Sequence, residues 1–287
     1  MKCALIGYGY WGKILKQYID EDASFELVEV CTHRDDKEQL QRILESKNIE
    51  AVFIATPIDT HFYLCRRFLD SGKHVFCEKP LCKNPEDVRT LASSAAINRR
   101  ILFTDYIYIE SPSINLAKSK LPSIGQLTNI DAKITQWGNF YKDDGVVDVL
   151  GVHIFSVLYY LNPSFRIENI ATADIEKDDN GNLLKVKIII NADNTPINVE
   201  VSLINKTKER NFAFRGSKGE IIVDMLSEKN VVLNYADGKV EEYSFDEKNN
   251  IKAVLTHFWR CMESNMDNLL LAEQVAVLAK QVNESTK

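Results

Sequence analysis

The first 120 or so residues alternate short, nearly continuous apolar runs with amphipathic segments. KCALIG, EAVFIAT, KHVFCEK and RILFTDY read as buried strands, and FELVEVCTH as a strand rich in β-branched residues. Between them WGKILKQYIDE, DDKEQLQRILESKN, HFYLCRRFLDSG and NPEDVRTLASSAAINR read as helices. The third of these ends at Gly72, and the fourth is opened by Asn-Pro. Repeated β–α alternation with short connections predicts a parallel, doubly wound sheet.

After about residue 122 the period changes from helical to two. GQLTNIDAKITQW, RIENIATADIEK, LLKVKIIINAD, PINVEVSLINKT, GEIIVDML, VVLNYAD and KVEEYSF all read as strands, parted by turns such as DDNGN and ADGK. They predict a large, meander-like, mainly antiparallel open sheet, solvated or covered by a partner on one face. Two helical stretches accompany it: VVDVLGVHIFSVLYYL, residues 146–161, and the closing segment from IKAVL onward. The expected fold class is α/β: a Rossmann-type domain over residues 1–120, then an α+β domain over 121–287.

Length supports two domains, since 287 residues exceed most single cores. Lys+Arg 35 against Asp+Glu 41 gives a net charge of −6, so no global attraction to nucleic acid or an anionic membrane is expected. The amino-terminal apolar run is too short for a signal peptide, and no run reaches the roughly 18 residues of a membrane-spanning helix. The six cysteines (Cys3, Cys31, Cys65, Cys77, Cys82, Cys261) are scattered, with neither CxxC nor a His/Cys cluster at metal spacing. They read as reduced, buried thiols of a cytoplasmic protein, and no metal is expected.

Gly7, Gly9 and Gly12 form G-x-G-x-x-G between a strand and a helix at the start of a βαβ unit. Glycines there permit a tight turn, close approach of backbone to a pyrophosphate, and helix–strand packing. The alternative is a tight turn with no ligand. About 20 residues further on, the reader of the adenosine ribose is expected at VCTHRDD. Thr32 stands where an NAD site usually offers a carboxylate, and His33 and Arg34 follow. A hydroxyl, an imidazole and a guanidinium suit a 2′-phosphate, so the segment favours NADP over NAD. Otherwise His33 and Arg34 are solvated loop residues, and Asp35 or Asp36 reads the ribose.

The stretch AVFIATPIDTHFYLCRRFLDSGKHVFCEKP resembles the Gfo/Idh/MocA oxidoreductase family, which carries ATP-x-x-x-H, a helix, and then G-K-H-V-x-x-E-K-P. Here these are Ala55, Thr56, Pro57 and His61, then Gly72, Lys73, His74 and Val75, then Glu78, Lys79 and Pro80. The turn GYGYWGK, with Tyr10 and Trp11, is similar to that of members acting on nucleotide-linked sugars. The resemblance is close over residues 1–110, returns around 146–161, and is weak beyond. It implies that Lys79 stabilises the substrate oxygen by its charge, with Glu78 orienting it and Pro80 fixing the turn. It also implies that Thr56 and Pro57 approach the nicotinamide and its ribose. His61, in the cofactor-side motif, is expected to open or cap the next helix.

The family further places an Asp and a His at i and i+4 on a helix, with the histidine as general base. His153 matches, but position 149 is Val149, and Asp148 lies five before the histidine. At about 100° per residue, i and i+4 are roughly 40° apart and i and i+5 roughly 140°. Asp148 therefore faces away in a regular helix and rejoins His153 only through a bulge, or if the helix begins after it. From the residues alone, His153 is a base or a core histidine, and Asp148 a substrate ligand or a structural acid. Tyr106, Tyr108 and Tyr141 are candidate substrate contacts, with packing as the alternative for the first two.

The resemblance implies NAD(P)-dependent interconversion of a secondary alcohol and a ketone on a sugar, cyclitol or nucleotide sugar. The alternatives are a non-catalytic dinucleotide sensor, supported only by the displaced acid, and a reductase of a tetrapyrrole or an imine. The family usually assembles homodimers or homotetramers through the open sheet face, which the strands from 184 to 205 would fit.

Overall fold

A computed structural model describes residues 1–32, 37–138 and 142–287. Its contacts divide the chain into two units: residues 1–107 with 249–277, and residues 108–248 with 278–287. The domain boundary expected at residue 120 differs from this division, because part of the C-terminal helical segment packs in the first unit.

The first unit begins β1 Lys2–Ile6, α1 Tyr10–Glu21, β2 Glu26–Cys31, α2 Lys37–Glu45 and β3 Ala51–Ile54. It continues α3 His61–Asp70, β4 His74–Glu78, α4 Pro85–Asn98 and β5 Leu102–Asp105. All five strands are parallel, in the order β2-β1-β3-β4-β5. The strand order reverses between β1 and β3, and the crevice outside the carboxyl ends at such a switch point is where open α/β sheets bind ligands.

Phe53, Phe76 and Phe103 are register partners across β3, β4 and β5, so they share one face of the sheet. Leu15, Ile19 and Phe25 cover part of that face, and the rest of the cover comes from far along the chain. After the second unit, α7 Asn250–Ser264 returns and sets Phe258 5.6–5.7 Å from all three rings. The closing helical segment then breaks at Asn265, whose φ of 54° ends α7, and resumes as α8 Leu269–Ser285. Between them, the Asn268 amide accepts from the Thr104 N–H at 2.9 Å and donates to the Thr104 carbonyl at 2.8 Å. A side chain thus pairs with the edge strand β5 as a further strand would.

The second unit opens with a helix the periodicity did not reveal, α5 Pro112–Lys120. Its signal is local: Ser111 Oγ accepts from the Ile114 N–H, and Pro112 occupies the first turn. Next come β6 Leu127–Trp137, a π-helical turn Val147–Gly151, α6 Val152–Leu161, β7 Ile167–Lys177, β8 Leu183–Ala192 and β9 Thr195–Ser202. The strands end with β10 Ile204–Gly216, β11 Gly219–Asp224, β12 Val231–Tyr235 and β13 Val240–Tyr243.

The eight strands lie in the order β13-β12-β11-β10-β6-β9-β8-β7, two antiparallel meanders joined through β6. The meander expectation needs one correction, because β6 and β9 pair in parallel. PINVEVSLINKT is also not one strand: β9 and β10 part at the buried Leu203 and lie on opposite sides of β6.

Candidate active site

In the first unit the glycine turn follows β1 at the switch point. Gly7 has a φ of 96° and donates its N–H to the Cys31 carbonyl at 2.9 Å. A Cβ there would stand 2.4 Å from the Ala55 oxygen, and one on Gly12 would stand 2.2 Å from the Gly7 oxygen. Both positions therefore exclude any side chain, as close strand–strand and helix–strand approach requires. Gly9 differs, since a Cβ there would meet nothing within 4 Å. It is the N-cap of α1, a helix with no side-chain cap and no acid in its first turn. Open space before a bare helix amino end fits a pyrophosphate. Tyr10 and Trp11 stand beside it, 74% and 41% exposed, as an edge-to-face pair.

Thr32 lies exposed just past β2, whereas His33 and Arg34 lie outside the described residues. At the end of β3, Thr56 Oγ1 is 2.6 Å from Thr60 Oγ1, and Thr60 in turn donates to the Pro57 carbonyl at 2.7 Å. His61, expected among the cofactor-side residues, is fully buried, with its ring nitrogens 2.9 Å from the Pro80 and Thr56 carbonyls. It braces the end of β3 against the turn after β4 and reaches a ligand only through those backbones, which corrects its placement among cofactor contacts.

Lys79 is half-buried immediately beyond β4, joined to Pro80 by a cis peptide bond. Glu78 is the register partner of Asp105 at the ends of β4 and β5. Burial raises the Glu78 pKa, and the neighbouring Lys79 ammonium partly opposes that. Tyr106 also needs correction. At 2% exposure it is a core residue, its phenol pushed up by burial and by the nearby Cys82 and Cys77, and it presents nothing to a substrate.

In the second unit the π-helical turn supplies the irregularity that the Asp148–His153 spacing requires. The Val152 N–H donates to the Val147 carbonyl, five residues back, before α6 resumes ordinary winding. A π turn absorbs one extra residue, so positions i and i+5 take the relation that i and i+4 have in an α-helix. The turn thereby offsets the extra residue between Asp148 and His153. Asp148 is 5% exposed and accepts from Asn283 Nδ2 at 3.3 Å. The His153 ring stacks on Tyr108, centroids 4.7 Å apart and planes 23° from parallel. Burial raises the pKa of the Tyr108 phenol, against the pull of the Arg210 guanidinium. Tyr141 lies outside the described residues.

Two of these residues escaped the sequence reading. Asn283 carried no signal, being one polar residue in an amphipathic helix. Arg210 carried one: it shares the inward phase of β10 with Phe212 and Phe214, and an arginine on the apolar face of a strand calls for a reason.

Residues 1–106 match the Gfo/Idh/MocA model, described as an oxidoreductase family with an NAD-binding Rossmann fold. The chain is 30% identical over 102 residues to scyllo-inositol 2-dehydrogenase (NADP(+)) IolU of Bacillus subtilis, a match covering 36% of this chain and 31% of that protein. Against the inositol 2-dehydrogenase of Rhizobium meliloti it is 21% identical over 267 residues, 83% of this chain and 80% of that one. Its fold matches that of the UDP-N-acetylglucosamine 3-dehydrogenase GnnA from Acidithiobacillus ferrooxidans with a TM-score of 0.87, at 17% identity, covering 99% and 97% of the two chains. The first 106 residues of this chain are thus similar to the Gfo/Idh/MocA oxidoreductase family with its NAD-binding Rossmann fold, and the second unit adds a mainly antiparallel sheet in the same two-part fold.

Proposed function

We propose that this chain is an NADP- or NAD-dependent oxidoreductase that interconverts a secondary alcohol and a ketone on a sugar, cyclitol or nucleotide sugar. The observation that carries the reading is the pairing of a bare, open anion cradle at Gly9 with a half-buried Lys79 at the carboxyl end of β4. The relatives support the substrate class, since their names are those of inositol and nucleotide-sugar dehydrogenases.

A bound nicotinamide dinucleotide supplies the redox chemistry, accepting or delivering a hydride. Gly7, Gly9 and Gly12 hold its pyrophosphate, while Thr56 and Pro57 face its nicotinamide end. Thr32 offers no carboxylate to repel a 2′-phosphate, so we take NADP as the preferred form. His153 removes the proton from the substrate hydroxyl, and Lys79 stabilises the charge that develops on the oxygen. Asp148 binds the substrate or orients the base. The outward face of the second sheet, with Ile189 and Ile222 exposed, would pack against another copy of the chain.

The test is nucleotide turnover with a panel of inositols, hexoses and nucleotide sugars, followed by the absorbance of the reduced cofactor. Lys79→Ala is expected to lower kcat by about 100- to 1000-fold while cofactor still quenches the fluorescence of Trp11. Unchanged turnover in Lys79→Ala would overturn the mechanism, and a chain that binds cofactor but turns over nothing would overturn the enzyme reading.

A further inference from the structure

We propose that His61 is a buried imidazolium, a positioning residue whose two ring N–H groups tie the turn after β3 to the turn that carries Lys79. The inference rests on the reading of Lys79 as the group that stabilises the substrate oxygen. His61 is fully buried, and both ring nitrogens face carbonyl oxygens. Nδ1 lies 2.9 Å from that of Pro80, and Nε2 lies 2.9 Å from that of Thr56. A carbonyl oxygen only accepts, and a neutral imidazole has one N–H and one acceptor nitrogen. The neutral ring therefore satisfies one contact and sets a lone pair against the oxygen of the other. Only the doubly protonated ring donates to both.

Two effects oppose a charge at this place. Burial disfavours the ionised form, and His61 is the first residue of α3, whose amino end carries partial positive charge. The two carbonyls outweigh the helix end. Each sets its negative end at hydrogen-bond distance, and a bond from an ionised donor is roughly twice as strong as one from a neutral donor. The charged and titratable groups bordering the tied segments are Asp59 and Cys65 beside His61, Cys77, Glu78 and Lys79 before Pro80, and Cys82 after it. Ionised Asp59 and Glu78 favour the cation, and Lys79 opposes it. Thr56 follows β3, and Pro80 follows Lys79 directly, so one ring fixes the cofactor-side turn and the lysine against each other. Thr56 also keeps its hydroxyl 2.6 Å from Thr60 Oγ1 while its carbonyl is held. Loss of the second ring proton releases one of the two turns.

Nitrogen-15 NMR of the histidine rings in the full-length protein, together with steady-state kinetics, tests the proposal. The His61 signals are assigned as those lost in His61→Gln. Where that variant does not fold, coupling across the hydrogen bond to carbonyl-labelled proline identifies the ring in the wild type. At about pH 8, above the ordinary histidine value of about 6.5, both His61 nitrogens are expected to be protonated. His61→Gln is uncharged and donates through a single nitrogen. Because a small misplacement of a reacting group costs up to about 100-fold in rate, it should lower kcat by about 10- to 100-fold. The wild-type kcat should also fall as rising pH removes the second ring proton, and His61→Gln should lack that limb of the profile. A wild-type ring with one protonated nitrogen at that pH would overturn the proposal. So would an unchanged kcat in a folded His61→Gln. If the wild type turns over no substrate, the role of Lys79 falls, while the ring signals still judge whether His61 is the charged tie.

Discussion

Tyr108 and His153 stack with their ring centroids 4.7 Å apart, although 45 positions separate them in the chain. The same histidine follows a π turn whose one extra residue restores the spacing to Asp148. One constraint acts on the face of the ring and the other on the helix that carries it.

The side chain of Asp148 is held by Asn283, which approaches from the last turns of α8. Asn283→Ala leaves a buried carboxyl short of a donor, a loss of about 1–3 kcal/mol for an unsatisfied buried group. Urea unfolding should show a lower midpoint, and substrate KM should rise. A midpoint equal to that of the wild type would mean that this hydrogen bond does not hold the acid.

The three glycines of the turn should separate by function. Gly9 has a φ of −74° and open space around its Cα, so Gly9→Ala should leave thermal stability unchanged. Its methyl would stand where the pyrophosphate approaches, and cofactor affinity should fall about tenfold or more, 1.4 kcal/mol per factor of ten. Gly12→Ala places a methyl 2.2 Å from the Gly7 oxygen and should lose stability as well as affinity. Calorimetric titration with NADP and a thermal melt distinguish the two; equal melting losses in both variants would contradict the geometry.

His74 makes stability depend on pH. Burial, aided by the Arg100 charge, pushes its pKa from 6.5 down to about 4. Its Nδ1 accepts from the Ile101 N–H at 3.0 Å, which only the neutral ring can do. The unfolded chain therefore binds a proton that the native chain does not between those two values, so native stability falls as pH drops from 6.5 towards 4 and levels off below. His74→Gln keeps an acceptor without titrating, and its urea midpoint should be flatter across that window. Parallel profiles for the two proteins would exclude His74 as the source.

Phe258 closes the aromatic face formed by Phe53, Phe76 and Phe103. Phe258→Ala empties the middle of that cluster and should cost about 3–5 kcal/mol. The loss should appear in probes of the first unit, such as protection of β3 and β4 amides from hydrogen exchange. Protection as in the wild type would show that α7 is dispensable to that sheet.

Period and punctuation carried the first sheet into the sequence plainly. Ala51–Ile54 is buried at all four positions, as a central parallel strand must be, and Asn84 with Pro85 marks the start of α4. The second sheet was legible strand by strand but not in its order. Nothing local in Leu203 announces that β9 and β10 part around β6, because strand pairing is settled by contacts distant in sequence. The same limit applied to the site. Glycine geometry and the E-K-P turn are local and could be read, whereas Arg210 and Asn283 come near Tyr108 and Asp148 only through the fold. Tyr106 and Tyr108, two residues apart, were indistinguishable as letters; one is core and the other stacks on His153.

The return of α7 to the first sheet sets an order of assembly during synthesis. Phe103 leaves the ribosome 155 residues ahead of Phe258, a delay of roughly 10–30 s at usual elongation rates. Through that interval Phe53 has Phe25 against it, and Phe76 and Phe103 wait for Phe258, while residues 108–248 are being made. The first half to be made is thus sealed only by a segment that follows the whole eight-stranded sheet, and for those seconds its aromatic face stays partly open to water.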